Sequence, residues 1–309
     1  MTSDYHDLVI LGGGPAGLTA GMYAARSRMD VMLLEGASCG GQMMTYEMVE
    51  NYPGFPEGID APELARRMAD QAGRFGLNIV KDTALSVEVL PETGEKVIRL
   101  KDGAIRCRAL IVATGAHERK LGVEGENRLR GKGVSYCATC DGAFFQDCVI
   151  SVVGGGDMAV EEAMYLTRFG REVNVIHRRN ELRATRVIQE RAFGNPKIRF
   201  VWDTVVTGIN GDELVEGVTL KNVKSGEISE MATDGVFIFV GTLPRSKFLN
   251  GIVPLDKDGF VLVNTEMETN VPGIFAAGDV VSKRLRQVSV SVGEGAAAAF
   301  SAEKYLESL

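Results

Sequence analysis

Two cysteines three positions apart, with a carboxylate directly after, form the most reactive grouping in this chain of 309 residues: Cys137-Ala138-Thr139-Cys140-Asp141. Thiols in a C-x-x-C spacing can close a small disulfide, and the motif lowers a thiol pKa from about 8.5 toward 7 or below. Three chemistries compete for such a pair. A zinc site would need a second pair of ligands, but Cys39, Cys107 and Cys148 are isolated and only three histidines are present, so no metal site is expected. Two buried structural thiols are the second reading. A redox-active dithiol is the third and the one the residues favour, with Asp141 placed to shuttle a proton.

The next candidates are glycines. Gly12-Gly13-Gly14-Pro15-Ala16-Gly17 follows an apolar run, Asp7 to Leu11. In a strand-to-helix turn, Gly12 permits the sharp bend, Gly14 lets backbone approach a pyrophosphate and Gly17 lets helix and strand pack closely. Free backbone N–H groups and the helix N-terminus then hold the negative charge. The pattern returns at an offset of 142 residues, as Gly154-Gly155-Gly156-Asp157-Met158-Ala159, with Ala159 in the third role. A lone glycine turn is weak evidence; two in the same strand–helix context are not.

The residue closing the second strand of each repeat distinguishes the ligands. It is Glu35 in the first, 23 residues after Gly12, and a carboxylate there accepts from a ribose diol and repels a 2′-phosphate. In the second it is His177, followed by Arg178, Arg179 and, one turn on, Arg183. Guanidinium groups fork onto phosphate. Two such contacts at about 1.5–3 kcal/mol each favour a 2′-phosphate by roughly 10²–10⁴-fold. The first turn is therefore expected to take a non-phosphorylated adenine dinucleotide and the second NADPH, which together suggest a flavin and a nicotinamide. Near the C-terminus Ala276-Ala277-Gly278-Asp279 follows Gly273-Ile274-Phe275, and an Asp there can bind the ribityl hydroxyls of FAD. Arg286-Gln287-Val288 opens a helix through Ala296–Ala299, whose N-terminal partial charge would stabilise an anionic reduced ring.

These residues need a scaffold written twice. Asp7–Leu11, a helix to about Arg26 and Val31–Leu34 match Val149–Val153, a helix Val160–Phe169 and Glu172–Ile176. Leu110–Gly115 resembles Val236–Gly241, each an apolar strand closing on glycine, and each follows a β-rich stretch, Thr83–Arg108 or Val205–Met231, read as an antiparallel meander. The expected fold is α/β: two Rossmann-like dinucleotide-binding domains, each a central parallel sheet with a small antiparallel meander. The tail from Lys247 is too short for a third domain and is assigned to the first. This gives a discontinuous FAD-binding domain, 1–117 and 246–309, and an NADPH-binding domain, 118–245, that carries the dithiol. The chain would cross near Ala116–Lys120 and Leu243–Lys247.

Composition narrows the partners. Acidic residues outnumber basic ones, for a formal net charge of −7, which speaks against a broad nucleic-acid surface. Met1–Asp7 has no Lys or Arg and runs into glycines, unlike a signal peptide, and no stretch approaches 18 uncharged apolar residues. A cytoplasmic protein with no membrane partner is expected, and five cysteines in a reducing compartment argue against a structural disulfide framework.

The sequence closely resembles the low-molecular-weight thioredoxin reductases of bacteria over essentially its whole length. The resemblance rests on Gly12–Gly17, Gly40-Gly41-Gln42, Glu50-Asn51-Tyr52-Pro53-Gly54, Cys137–Gly142, His177-Arg178-Arg179 and Ala277-Gly278-Asp279 with Arg286-Gln287. It implies FAD contacts from Gly12, Gly14, Pro15, Ala16, Gly17, Glu35, Gly41, Gln42, Asn51, Ala113, Thr114, Gly115, Gly278, Asp279, Arg286, Gln287 and Val288. It implies NADPH contacts from Gly154, Gly156, Asp157, Ala159, His177, Arg178, Arg179 and Arg183. Cys140 is implied to face the flavin, Cys137 to attack a thioredoxin disulfide and Asp141 to exchange the proton, with one domain rotating against the other between half-reactions, in a homodimer. Val288 stands where many members have Ala, and Met158 where Thr or Ser is usual. Cys39 matches no family role and reads as a small buried residue. A ferredoxin-dependent relative would not need His177-Arg178-Arg179, a flavoprotein reducing ferredoxin would not need Cys137 and Cys140, and a flavin-binding sensor would need neither a hydride donor nor a dithiol.

Overall fold

The computed structural model describes residues 4–45 and 48–309. Residues 1–3 of the stretch read as lacking a leader lie outside the described residues. The chain divides into two compact units, Met1–His117 with Leu243–Leu309, and Glu118–Thr242. The division falls three residues before 245/246 because Arg245 N donates to Gly115 O at 3.0 Å and Thr114 Oγ1 to Arg245 O at 2.7 Å, tying that segment to the first unit.

The first unit is built on a seven-stranded sheet. Asp4–Leu11 lies parallel between Val31–Leu34 and Gly103–Val112, and Ile274–Ala276 from the C-terminal tail adds beyond Gly103–Val112 with Ile274 opposite Leu110. Leu8 to Leu11 are all buried, as expected where a parallel strand is covered on both faces. One face, through Leu8, Ile10, Leu33 and Ile111, packs on helix Pro15–Arg26 and on Ala298, Ala299 and Ala302 of helix Val288–Glu307. The other, through Val9, Leu11, Leu34 and Val112, packs on Val87, Ile98 and Ile105 of the meander and on Leu249, Val253 and Val261 of the tail. Gly17 is required where the first helix meets the turn: a Cβ there would lie 1.8 Å from Gly12 O.

The second unit repeats the plan with a difference. Its five strands run in the order Val134–Ser135, Gly235–Phe239, Val149–Gly154, Glu172–Ile176 and Ile198–Val201, all parallel. In the first unit one ten-residue strand, Gly103–Val112, serves both meander and parallel sheet. Here the meander, Thr204–Asn210, Gly217–Asn222 and Ile228–Ala232, is a separate three-stranded sheet. Thr233 and Asp234 break the chain between the two, and Asp234 turns its carboxylate to Val149 N at 2.7 Å. The helix after the second glycine turn spans Asp157–Leu166, not Val160–Phe169. It starts on Gly156 as N-cap and stops where Gly170 N folds back onto Leu166 O at 2.9 Å.

Candidate active site: a disulfide and two nucleotide-binding edges

In a parallel sheet every strand delivers its carboxyl end to one edge, where ligands of α/β proteins bind. In the second unit that edge carries, strand by strand, Tyr136-Cys137 after Val134–Ser135, the Gly154 turn after Val149–Gly154 and His177 after Glu172–Ile176. The dithiol strand and the glycine-turn strand are separated by one other, two strand spacings or roughly 10 Å. The dithiol thus belongs to the same edge as the nucleotide turn.

Cys137 and Cys140 form a disulfide with Cα atoms 5.3 Å apart. Cys137 caps the short helix Ala138–Asp141, its Sγ accepting from Cys140 N at 3.2 Å. Asp141 is half-buried, and burial raises its carboxyl pKa, opposed first by Ser135 and then by the Arg130 guanidinium. Ser135 Oγ donates to Asp141 Oδ2 at 2.5 Å and accepts from Cys137 N at 3.1 Å. Ser135 therefore bridges the backbone of one cysteine to the carboxylate beside the other. Sequence reasoning gave Ser135 no role, although it occupies an inward-facing strand position two residues before the first cysteine. Tyr136, between them, donates to the buried Glu126 at 2.7 Å, and Glu126 also accepts from Leu121 N and Gly122 N. This fixes the strand end from which the dithiol departs.

At the glycine turn, Arg183 N and Ala184 N both donate to Gly155 O, and Thr185 N donates to Asp157 Oδ1 at 2.7 Å. The loop carrying the arginines and the turn at the helix start are thereby one stitched body, and the Asp157 carboxylate is taken up by this stitch. His177 is buried at 5% exposure, and its ring lies on Gly155, where a Cβ would fall 2.2 Å from Nδ1. Its pKa is lowered by burial and then by Arg183, Arg179 and Arg178, so the imidazole is neutral backing for the turn. The three arginines are exposed, and the space beside Gly156 is bounded by Arg183 Nη2, 3.9 Å from where a Cβ would be. A strongly cationic, open cradle at a helix N-terminus fits a phosphorylated nucleotide. Ala159 is buried in the helix base.

The first unit presents a second edge in the order Glu35, Gly12–Gly14, Ala113–Gly115 and Gly278–Asp279, which follows the neighbouring strands. Glu35 Oε2 accepts from Gly13 N at 2.6 Å and Oε1 from Ala37 N at 2.9 Å. Beside it, burial and the Glu35 charge raise the pKa of Cys39, which is half-buried rather than fully enclosed. Gly14 faces open space, with nothing within 4 Å of a Cβ position, which leaves room for a pyrophosphate over Pro15 and Ala16. Gln42 Nε2 reaches Ala116 O at 2.8 Å and Asp279 Oδ2 at 3.4 Å, and Asn51 Nδ2 donates to Gln287 Oε1 at 3.0 Å. Gln42 is thereby brought to Asp279, and Asn51 to Gln287, although each pair is far apart in sequence. Arg286 lies over the Phe260 ring at 4.2 Å, its Nε buried, and Val288 begins the long C-terminal helix. Four strand ends spread over roughly 15 Å suit an extended dinucleotide. Among the described residues no group of three or more His, Cys, Asp or Glu could hold a metal.

A disulfide on the sheet edge that carries one glycine turn, with a second glycine-turn edge in the same chain, suits electron flow from a pyridine nucleotide through a flavin to sulfur. Residues 6–295 match the family model of pyridine nucleotide-disulphide oxidoreductases. Over nearly the full length the chain is 46% identical to a thioredoxin reductase of Peptoclostridium litorale, with 98% of each chain covered. It is 45% identical to a thioredoxin reductase of Bacillus subtilis, covering 98% of this chain and 96% of that one. The crystal structure of thioredoxin reductase from Streptococcus pyogenes superposes with a TM-score of 0.94 at 43% identity, with both chains fully covered. The chain belongs to the thioredoxin reductases of this family and is an oxidoreductase that uses FAD and NADPH.

Proposed function

We propose that the enzyme is a cytoplasmic, homodimeric thioredoxin-disulfide reductase in which the first unit holds FAD and the second holds NADPH beside the dithiol. The observation that carries this reading is the Cys137–Cys140 disulfide at the edge shared with the arginine-flanked glycine turn. Held by the first unit, FAD would supply the relay of two electrons from an NADPH hydride to that disulfide. The remaining chemistry belongs to the chain's own side chains. Reduction breaks the Cys137–Cys140 bond and leaves two thiols. Cys137 then attacks the partner disulfide as thiolate, forming a mixed disulfide and expelling a partner thiolate. Cys140 displaces the partner from Cys137, re-forming the internal disulfide and releasing the reduced protein. Asp141, held by Ser135, carries the proton that the departing and attacking sulfurs exchange. Arg178, Arg179 and Arg183 bind the 2′-phosphate, while Asp157 and His177 hold the loop and turn that present them. Glu35 binds the flavin nucleotide's ribose, and Asp279 its ribityl chain.

The dithiol must serve both flavin and partner, and the chain offers two pivots. Gly115, with φ +70°, and Gly241, with φ +124°, adjoin the crossings between units. Hinges absorb such motion at a few element-terminal positions. No helix among the described residues is long and apolar enough to cross a membrane, and the net charge of −7 gives no support to a nucleic-acid partner.

The test is direct. Without oxygen, NADPH should bleach the yellow holoenzyme, and steady NADPH consumption should require thioredoxin disulfide. A protein that does not reconstitute with FAD, or NADPH consumption indifferent to thioredoxin, would overturn the assignment.

A further inference from the structure

The loop that follows the Gly278–Asp279 turn is held by a partly buried ion pair that no part of the reaction above uses. Glu294, in the second turn of helix Val288–Glu307, accepts from Gly278 N at 2.8 Å with Oε2. The same oxygen meets the Lys283 ammonium in a close contact. Both side chains are nearly enclosed, at 15% and 12% exposure. Lys283 O in turn accepts from Arg286 Nη1 at 2.9 Å. One carboxylate thus links the turn, the loop and the helix. Neighbouring contacts leave the turn little freedom: a Cβ on Gly278 would lie 2.9 Å from Ala16 Cβ, and one on Gly295 2.2 Å from Ala16 O.

We propose that the Lys283–Glu294 pair is a positioning and charge-balancing element of the flavin site. Glu294 fixes the peptide that presents Asp279, and Lys283 cancels the carboxylate so that a reduced, anionic flavin meets no unpaired negative charge. This rests on the assignment of FAD to the first unit. The two functions separate by substitution. Glu294→Gln keeps an acceptor for Gly278 N but leaves Lys283 unbalanced, adding one positive charge to the site. Lys283→Met removes the ammonium and so adds one negative charge to the site, with Arg286 left as the cation that still acts on Glu294. A nearby positive charge stabilises the more negative redox state, and a negative charge does the reverse. A partly buried charge is screened less than one in open solvent, so both effects should persist, though reduced, at higher salt.

The experiment measures the flavin midpoint potential of the reconstituted holoenzyme at pH 7, by equilibration with a reference dye, and FAD affinity by fluorescence. The potential should move positive in Glu294→Gln, negative in Lys283→Met, and return close to wild type in the double variant. Glu294→Ala, which also removes the Gly278 acceptor, should weaken FAD binding about tenfold or more. A merely structural strap would weaken FAD binding in every variant without shifts of opposite sign. Wild-type protein that binds FAD normally while both single variants keep its potential, or shift the same way, would overturn this proposal alone. Wild-type protein that does not take up FAD would overturn the flavin assignment with it.

Discussion

Ser135 Oγ stands 2.5 Å from Asp141 Oδ2 while accepting from the backbone of Cys137, so a single hydroxyl couples the proton-carrying carboxylate to the disulfide loop. Burial raises the Asp141 pKa and Ser135 opposes the rise. Removing the hydroxyl lets desolvation act with less resistance, so the carboxyl holds its proton to higher pH. A hydrogen bond to a charged group is worth about 1.5–3 kcal/mol, or roughly one to two pH units. Ser135→Ala should therefore shift the Asp141-dependent limb of the pH profile for thioredoxin reduction upward by about one unit, with flavin content unchanged and Thr restoring part of the shift. An unmoved profile would show that the contact does not tune the acid.

The two cysteines should separate kinetically. Cys137→Ser is expected to leave flavin reduction by NADPH intact and to abolish thioredoxin turnover. Cys140→Ser keeps the attacking thiol without the resolving one, and should accumulate a mixed disulfide visible by mass spectrometry. Partner turnover persisting in both single variants would refute the assigned roles.

Coenzyme choice should reside in the exposed arginines. Replacing Arg178 and Arg179 together by Ala removes two charge-assisted phosphate contacts and should cut the NADPH preference, measured as kcat/KM against NADH, by at least about tenfold. His177→Asn should act differently. Its folded-state pKa is depressed, so it contributes stability that is present above the ordinary histidine value and lost as pH falls through the depressed one. Thermal melts of the variant should therefore be flatter than wild type below about pH 6.5.

Lys96 gives a test remote from catalysis. Its side chain is fully buried in the first unit, where Nζ donates to Arg108 O at 2.7 Å and lies 5.0 Å from the Tyr305 ring centroid. Burial lowers its pKa to about 8. With the folded value below the unfolded one, this group adds stability above about pH 10.4 that is lost as pH falls through about 8. Lys96→Met should raise the Tm at pH 7 and flatten its dependence on pH between those values. A lower Tm at pH 7 would mean that the bond to Arg108 O outweighs the cost of burying the charge.

The paired glycine turns, the contrast of Glu35 with His177-Arg178-Arg179, and the C-x-x-C with Asp141 were legible in the sequence because each rests on local covalent spacing. A turn, a strand end or a four-residue disulfide loop is decided by neighbours in the chain. The parallel strands were legible for the same reason, since Leu8–Leu11 is apolar without alternation and Ile150–Val153 is interrupted only by Ser151, which is itself buried. What tertiary structure alone decided is which distant groups share an edge. Gln42 meets Asp279 across 237 positions, and Asn51 meets Gln287 across 236. The Lys283–Glu294 pair crosses from loop to helix, and His177 proves to be a buried support while its three arginine neighbours face solvent. Such choices depend on how side chains fill a shared volume and on what burial costs a charge, and both are set by atoms that only the folded chain brings together.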